Sequence, residues 1–179
     1  MATEILPRVI GLPLIVAFVV GVGAATQIAM IGALARERGA PEATFISMMG
    51  TVLGIAIVFA VRSLRGEPPL LPAPLDRLPM MALIGAASFA LLVLALRGTQ
   101  PYFAVTGLFA VAFLMSTALI VPRIGVGLFF ITNAAGTLVG STIFDQFGAF
   151  GAHPIPVTPM KLAGFAIVLA GIGVVRFAR

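Results

Sequence analysis

The stretch GTLVGSTIFDQFGAFGAHPIP, residues 136–156, shows how this chain changes from one environment to another. Its first half contains small and apolar residues, whereas its second half holds Asp145, His153 and the prolines Pro154 and Pro156. An apolar run that stops at an acid and at helix-breaking residues is typical of a helix that leaves a lipid bilayer. We therefore expect a transmembrane helix to end just before Asp145. We interpret Asp145 as either a solvated boundary residue or a gate residue that pairs with an arginine such as Arg36 or Arg97.

The composition of the whole chain indicates a membrane protein. Of its 179 residues, 60% are hydrophobic and 9% are charged, whereas a soluble domain carries about 25% charged residues. The ten arginines and one lysine are scattered between apolar segments, which favours cytoplasmic loops over a nucleic-acid site. With no cysteine and a single histidine, the chain has little material for a metal centre, and we expect neither a metal nor a cofactor. The expected partner of most of the surface is the lipid bilayer.

Six apolar segments are long enough, or nearly so, to cross about 30 Å of hydrocarbon as helices. Polar links separate them, and the longest, RSLRGEPPLLPAPLDRLP at residues 62–79, contains prolines that forbid a helix. We predict an all-α, multi-pass membrane protein of one domain, residues 1–179, in the bacterial inner membrane. Seven of the eleven basic residues fall on the side of the two termini, which favours cytoplasmic termini if there are six spans. The predicted spans are 10–34, 42–63, 79–97, 102–121, 125–144 and 161–177.

The second half of the chain resembles the first. RGAPEATFISMMGTVLG at residues 38–54 resembles RIGVGLFFITNAAGTLVG at residues 123–140, with the FIS and FIT triplets 85 positions apart and the GTVLG and GTLVG segments 86 apart. One inserted residue would reconcile the two spacings. Because each half has three spans, the second copy would be upside down in the membrane. The sequence therefore predicts a 3+3 inverted repeat, the arrangement that many transporters use for alternating access; the alternative is a chance likeness between glycine-rich apolar segments.

Small residues at four-residue spacing predict close helix packing. Gly50 and Gly54 form such a pair in the second span, and Gly136 and Gly140 form one in the fifth. In lipid, this spacing lets two helix backbones approach each other. We expect the second and fifth spans to cross each other through these two faces.

The interiors of the spans contain no charged residue, so uncharged polar groups are the candidates for contact with a substrate. Gln27 and Asn133 need hydrogen-bond partners in lipid, and either they hold helices together or they line a wet cavity. Ser47 and Thr137 lie in the spans that the repeat matches. We predict that Gln27, Asn133, Thr137 and Ser47 contact the substrate. Together with nearby phenylalanines they favour a neutral, zwitterionic or aromatic solute.

Several stretches of the chain resemble one family of small inner-membrane exporters, the transporter family-2 type of the drug/metabolite transporter superfamily. The resemblance rests on the first-span glutamine and the LAR triplet of residues 23–54, on the D-x-F-G ending of AAGTLVGSTIFDQFGAFG at 134–151, and on the glycine-rich run KLAGFAIVLAGIGVV at 161–175. Residues 83–113 are similar to the wider superfamily. The resemblance implies a transporter that works as a homodimer or with a paired homologous half. The family usually has five spans.

We expect a secondary transporter that exports a small organic solute by alternating access. The alternative is an accessory or structural membrane subunit without a transport pathway of its own, which the lack of membrane-embedded charge favours. An enzyme is not expected, because no nucleophile, base and acid come together near one interface.

Overall fold

The computed structural model describes residues 5–177, with the side chains of residues 11–171, 173 and 174. Six α-helices follow one another, and residues 5–177 contain no strand. Five of the helices are long and apolar enough to cross a membrane, and the sixth has a shorter described apolar part, Pro159–Gly171. The expected all-α, multi-pass fold class is confirmed. The helices are α1 (Ile5–Arg38), α2 (Ala40–Leu64), α3 (Leu78–Ala95), α4 (Thr106–Ile124), α5 (Val126–Phe147) and α6 (Pro159–Phe177).

Glycines set the boundaries between consecutive helices. Gly39 separates α1 from α2 with a φ of 101°, and Gly125 separates α4 from α5 with a φ of 84°. A side chain at either position would be strained in this backbone conformation, whereas glycine adopts it freely. Gly148, also at positive φ, ends α5 in the left-handed conformation that commonly follows a helix.

The chain forms two compact units. The central unit is Met30–Val111 and contains the end of α1, all of α2 and α3, and the start of α4. The terminal unit comprises the described residues up to Ala29 and from Ala112 onward, so it contains most of α1, the rest of α4, and α5 and α6. The chain therefore passes from one unit to the other inside two helices.

The terminal unit has an apolar core made by α1, α4 and α5. Phe129 and Ala17 are fully buried in it, and the ring of Phe113 lies 6.1 Å from that of Phe129. Ile120, Ile124 and Leu128 complete the buried cluster.

In the central unit, α2 packs on α3 and on the short 3₁₀ helix Pro101–Val105, which precedes α4. The side chain of Phe103 in this 3₁₀ helix is fully buried. A Cβ atom on Gly85 of α3 would lie 3.5 Å from that of Ala56 of α2, which is an ordinary packing distance.

Large apolar side chains point outward from the helices. Ile15 and Val19 of α1 are about 60% exposed, and Leu119 and Ile167 are also exposed. An exterior with so many exposed leucine, isoleucine and valine side chains is suited to contact lipid chains rather than water.

Candidate transport site

Two of the predicted site residues, Asn133 and Thr137, lie at a contact between α5 and α1. Asn133 is buried and donates a hydrogen bond from Nδ2 to the backbone oxygen of Ala17 at 3.3 Å. One turn further along α5, Thr137 donates from Oγ1 to the backbone oxygen of Gly21 at 3.1 Å, and the same hydroxyl lies 3.0 Å from the backbone oxygen of Asn133. Both polar side chains therefore join the two helices.

The backbones of α1 and α5 touch at this contact. A Cβ atom added to Gly21 or to Gly136 would lie under 3.0 Å from backbone atoms of the other helix. One added to Gly140 would lie 2.9 Å from Cβ of Ala25. These glycines leave the space that lets Asn133 and Thr137 reach carbonyl groups of α1.

A second contact, between α2 and α4 in the central unit, has the same construction. Thr51 Oγ1 lies 3.2 Å from the backbone oxygen of Gly107 and 2.9 Å from that of Ser47. A Cβ atom on Gly50 would lie 3.2 Å from the Ala104 oxygen and from Gly107. A Cβ atom on Gly54 would lie 2.9 Å from side-chain atoms of Leu108 and Val111.

The two contacts correspond residue by residue at a spacing of 86 positions. Thr51 corresponds to Thr137, and Gly107 corresponds to Gly21. The Thr51 hydroxyl donates to the backbone oxygen of Gly107, and the Thr137 hydroxyl donates to that of Gly21. The other residues of the two contacts also correspond at this spacing. The pairs are Phe18 and Ala104, Val22 and Leu108, Ala25 and Val111, Ser47 and Asn133, Gly50 and Gly136, and Gly54 and Gly140.

The same spacing holds at the start of the second helix of each half. The amide of Gly39 donates to the oxygen of Ala35 at 2.9 Å, and that of Gly125 donates to the oxygen of Val121 at 2.8 Å. A single spacing of 86 therefore runs from Gly39 to Gly54. The predicted alignment of the FIS triplet with FIT is therefore wrong by one residue. In the structure Ser47 corresponds to Asn133 and not to Thr132.

The expectation that the second and fifth spans cross through their glycine faces was wrong. The face of Gly50 and Gly54 on α2 is filled by α4, and the face of Gly136 and Gly140 on α5 is filled by α1. The sequence pattern marked the correct faces, but spacing along a helix carries no information about which partner fills them.

The other two predicted substrate contacts lie elsewhere. Gln27 is partly buried on α1, ten residues beyond the Ala17 carbonyl that Asn133 binds, which is about 15 Å along a helix. Gln27 and Asn133 therefore do not meet at one point. Ser47 is buried in the central unit, where its backbone oxygen accepts a hydrogen bond from the hydroxyl of Thr51.

Asp145 lies in the last turn of α5 and faces the start of α6. Its carboxylate is 3.8 Å from Nζ of Lys161, and both side chains are substantially exposed. Its backbone oxygen accepts from the amide of Ile155 at 2.7 Å, and the neighbouring Gln146 accepts from the amide of Val157 at 2.7 Å. Asp145 thus belongs to the connection between α5 and α6, and the ion pair that it forms here is with a lysine rather than an arginine.

Arg38 has a role that the sequence analysis did not predict. Its guanidinium donates to the backbone oxygen of Ala95 at 2.9 Å and also to that of Arg97, at the end of α3. These carbonyls have no partner within their own helix, and the helix end carries partial negative charge. The available signal was an arginine in the last turn of α1, which is too common to indicate a particular partner.

Two clefts lined by described residues open on these units, one on each. One, of about 410 Å³, lies between α1 and α4 in the terminal unit, and its walls are mostly aliphatic; the polar groups at it are Ser116 and Arg123. The other, of about 450 Å³, lies in the central unit at the start of α2, beside Arg38, Glu42 and Phe45. Among the described side chains, no group of three His, Asp or Glu residues comes together as a metal site would require.

The six helices of the described residues have an apolar exterior, and side-chain hydrogen bonds join α1 with α5 and α2 with α4; together they define a polytopic helical membrane protein. Within that class, residues 88–174 match the family described as "Putative inner membrane exporter, YdcZ", of the drug/metabolite transporter type. The match extends from within α3 into α6, and it confirms the family resemblance seen in the sequence. The match supports a membrane transporter of the exporter type. No curated protein and no solved structure gives a significant match to the chain.

Proposed function

We propose that this protein is a secondary exporter that moves a small organic solute out through the inner membrane by alternating access. The observation that carries the proposal is the match of residues 88–174 to an inner-membrane exporter family. The duplicated helix contact adds support, because transporters built from two inverted copies of one element commonly work by moving one part of the structure against another.

The cleft between α1 and α4 suggests a class of solute. Leu12, Val16 and Leu119 give it aliphatic walls, Ser116 provides a hydroxyl, and Arg123 provides a guanidinium. A volume of about 410 Å³ suits a small molecule. A solute with an apolar body and one carboxylate or phosphate group would bury its body against the aliphatic side chains and place its anionic group at Arg123.

A thermal-shift screen in detergent tests this proposal first. The compounds are apolar carboxylic acids, each paired with its neutral amide. A ligand at 100 times its Kd stabilises the folded state by about 2.7 kcal/mol. We expect the acids to raise the melting temperature more than the amides do, and Arg123→Gln to remove that difference. Arg65→Gln, in the polar link after α2, is the matched control.

Transport itself is then measured in liposomes. Vesicles are loaded with the compounds that raise the melting temperature, and efflux is compared between vesicles with and without the protein. If no compound stabilises the protein, and if loaded vesicles release every compound at the protein-free rate, the exporter proposal is wrong.

A second candidate function is that of an accessory subunit with no transport pathway of its own. One observation favours it: Asn133 and Thr137, two of the predicted substrate contacts, use their polar groups to hold α5 against α1. An accessory subunit would leave efflux at the protein-free rate but would change the activity of a partner purified with it.

The oligomeric state belongs to the same proposal. We infer a homodimer, or a pairing with a homologous half, as the resemblance implies. Native mass spectrometry from detergent distinguishes these forms from a monomer.

A further inference from the structure

The boundaries of the two units do not coincide with those of the two sequence copies. The spacing of 86 positions matches α1 and α2 with α4 and α5, so we take α1 to α3 as the first copy and α4 to α6 as the second. The terminal unit, however, combines most of α1 with α5 and α6, and the central unit combines the start of α4 with α2 and α3. Most of α1 and the start of α4 are thus exchanged between the copies, whereas the rest of α4, from Ala112 onward, stays with α5 and α6.

The exchanged segments are held by close backbone-to-backbone contacts in each unit. Phe18 to Ala25 of α1 pack on Asn133 to Gly140 of α5, with backbone against backbone and two side-chain hydrogen bonds to carbonyls of α1. Residues 104–111, which form the end of the 3₁₀ helix and the start of α4, pack on Ser47 to Gly54 of α2 in the same way, with one such bond. Opening either contact would break hydrogen bonds that are buried or partly buried, and sliding would bring the closely packed backbones into collision.

We propose that the bodies which move during transport are the two mixed units and not the two sequence copies. This inference rests on the proposed transport function. A movement of α1 up to Ala29 is then transmitted directly to α5 and α6, and a movement of the start of α4 is transmitted to α2 and α3. The usual expectation for an inverted repeat, in which one copy rocks against the other, would instead require both glycine contacts to open.

Engineered disulfides distinguish the two schemes, because the chain has no cysteine of its own. In the pair G54C/V111C, the two Cβ atoms lie 3.7 Å apart, within the range for a disulfide. The matched pair A25C/G140C places its Cβ atoms 2.9 Å apart, so a slight adjustment is needed. Each bridge joins one sequence copy to the other but remains inside one unit.

We expect both bridges to form on oxidation and to leave transport within about twofold of the reduced rate. If the reduced variants transport but oxidation lowers the rate tenfold or more, the mixed units are not the moving bodies, although the protein remains a transporter. Failure of both pairs to cross-link would also overturn the inference, because the helices would then not be exchanged.

A distance measurement tests the same inference without any substrate. Spin labels are placed on exposed positions of α1, α2 and α6, as V19C with I57C and as V19C with I167C. The first pair lies in one sequence copy but in two units, and the second lies in one unit but in two copies. In vesicles we expect two distance populations for the first pair and one for the second. A single population for the first pair, or two for the second, overturns the proposal.

Discussion

Replacing Gly136 by alanine tests whether the α1–α5 contact holds the terminal unit together. The new methyl group would lie under 3.0 Å from backbone atoms of Phe18, and a helix backbone cannot turn away as a flexible side chain can. The two helices would have to separate by about 1 Å, and overpacking of this kind costs about 1–3 kcal/mol.

The separation would also weaken two hydrogen bonds. The Asn133 bond to Ala17, at 3.3 Å, and the Thr137 bond to Gly21, at 3.1 Å, are already near the upper limit of length. Interhelical bonds in membranes average about 0.6 kcal/mol each. The expected loss in the free energy of unfolding is therefore about 2–4 kcal/mol.

The assay is reversible unfolding in mixed micelles, followed by circular dichroism. Gly127→Ala is the matched control, since it lies on the same helix and a Cβ atom there meets nothing within 4 Å. Gly21→Ala and Gly107→Ala should destabilise as Gly136→Ala does, and Gly50→Ala should cost less because its nearest contact is 3.2 Å. Equal stability of the Gly136→Ala and Gly127→Ala variants would refute the reasoning.

Three smaller perturbations test other contacts by the same unfolding assay. Thr137→Val removes the hydrogen bond to α1 and should lower the free energy of unfolding by about 0.6 kcal/mol. Thr142→Val removes only a bond within α5 and should lower it less. A larger loss for Thr142→Val than for Thr137→Val would contradict the interhelical role. Arg38→Ala should destabilise the end of α3 and speed hydrogen exchange of the amides near Ala95. Arg38→Lys should slow that exchange only in part, because lysine cannot donate two bonds in a fixed geometry. Unchanged exchange in Arg38→Ala would contradict the capping role. Asp145→Asn should change stability by less than about 0.5 kcal/mol, since its exposed ion pair is weak; a larger loss would show that the pair does more than the structure indicates.

Much of the fold could be read from the sequence, because lipid allows few solutions. Apolar segments of sufficient length, separated by glycine and proline, predicted an all-helical membrane protein, and residues 5–177 form six α-helices and no strand. The glycine pairs at positions 50, 54, 136 and 140 predicted faces of close packing, and each of these glycines is buried against another helix.

The partners of these faces could not be predicted in the same way. Small residues at four-residue spacing indicate a helix face on which another backbone can approach closely, but many different helices could pack on such a face. For the same reason, Asn133 could be recognised as a group that needs a hydrogen bond, but its acceptor, the carbonyl of Ala17, lies 116 positions away. The role of Gln27, Asn133, Thr137 and Ser47 in binding a substrate stays a prediction.

The exchange of helix segments between the copies has a consequence for how the ribosome delivers this protein to the membrane. Residues 18–25 of α1 emerge more than one hundred positions before residues 133–140, which cover them. At about 5–20 residues per second, α1 remains for roughly 5–20 s in the bilayer without its permanent neighbour. A nascent chain cut off after α3 would have neither glycine contact complete. Quality-control proteases should therefore recognise the half-length product as unfinished, although every helix in it is already inserted.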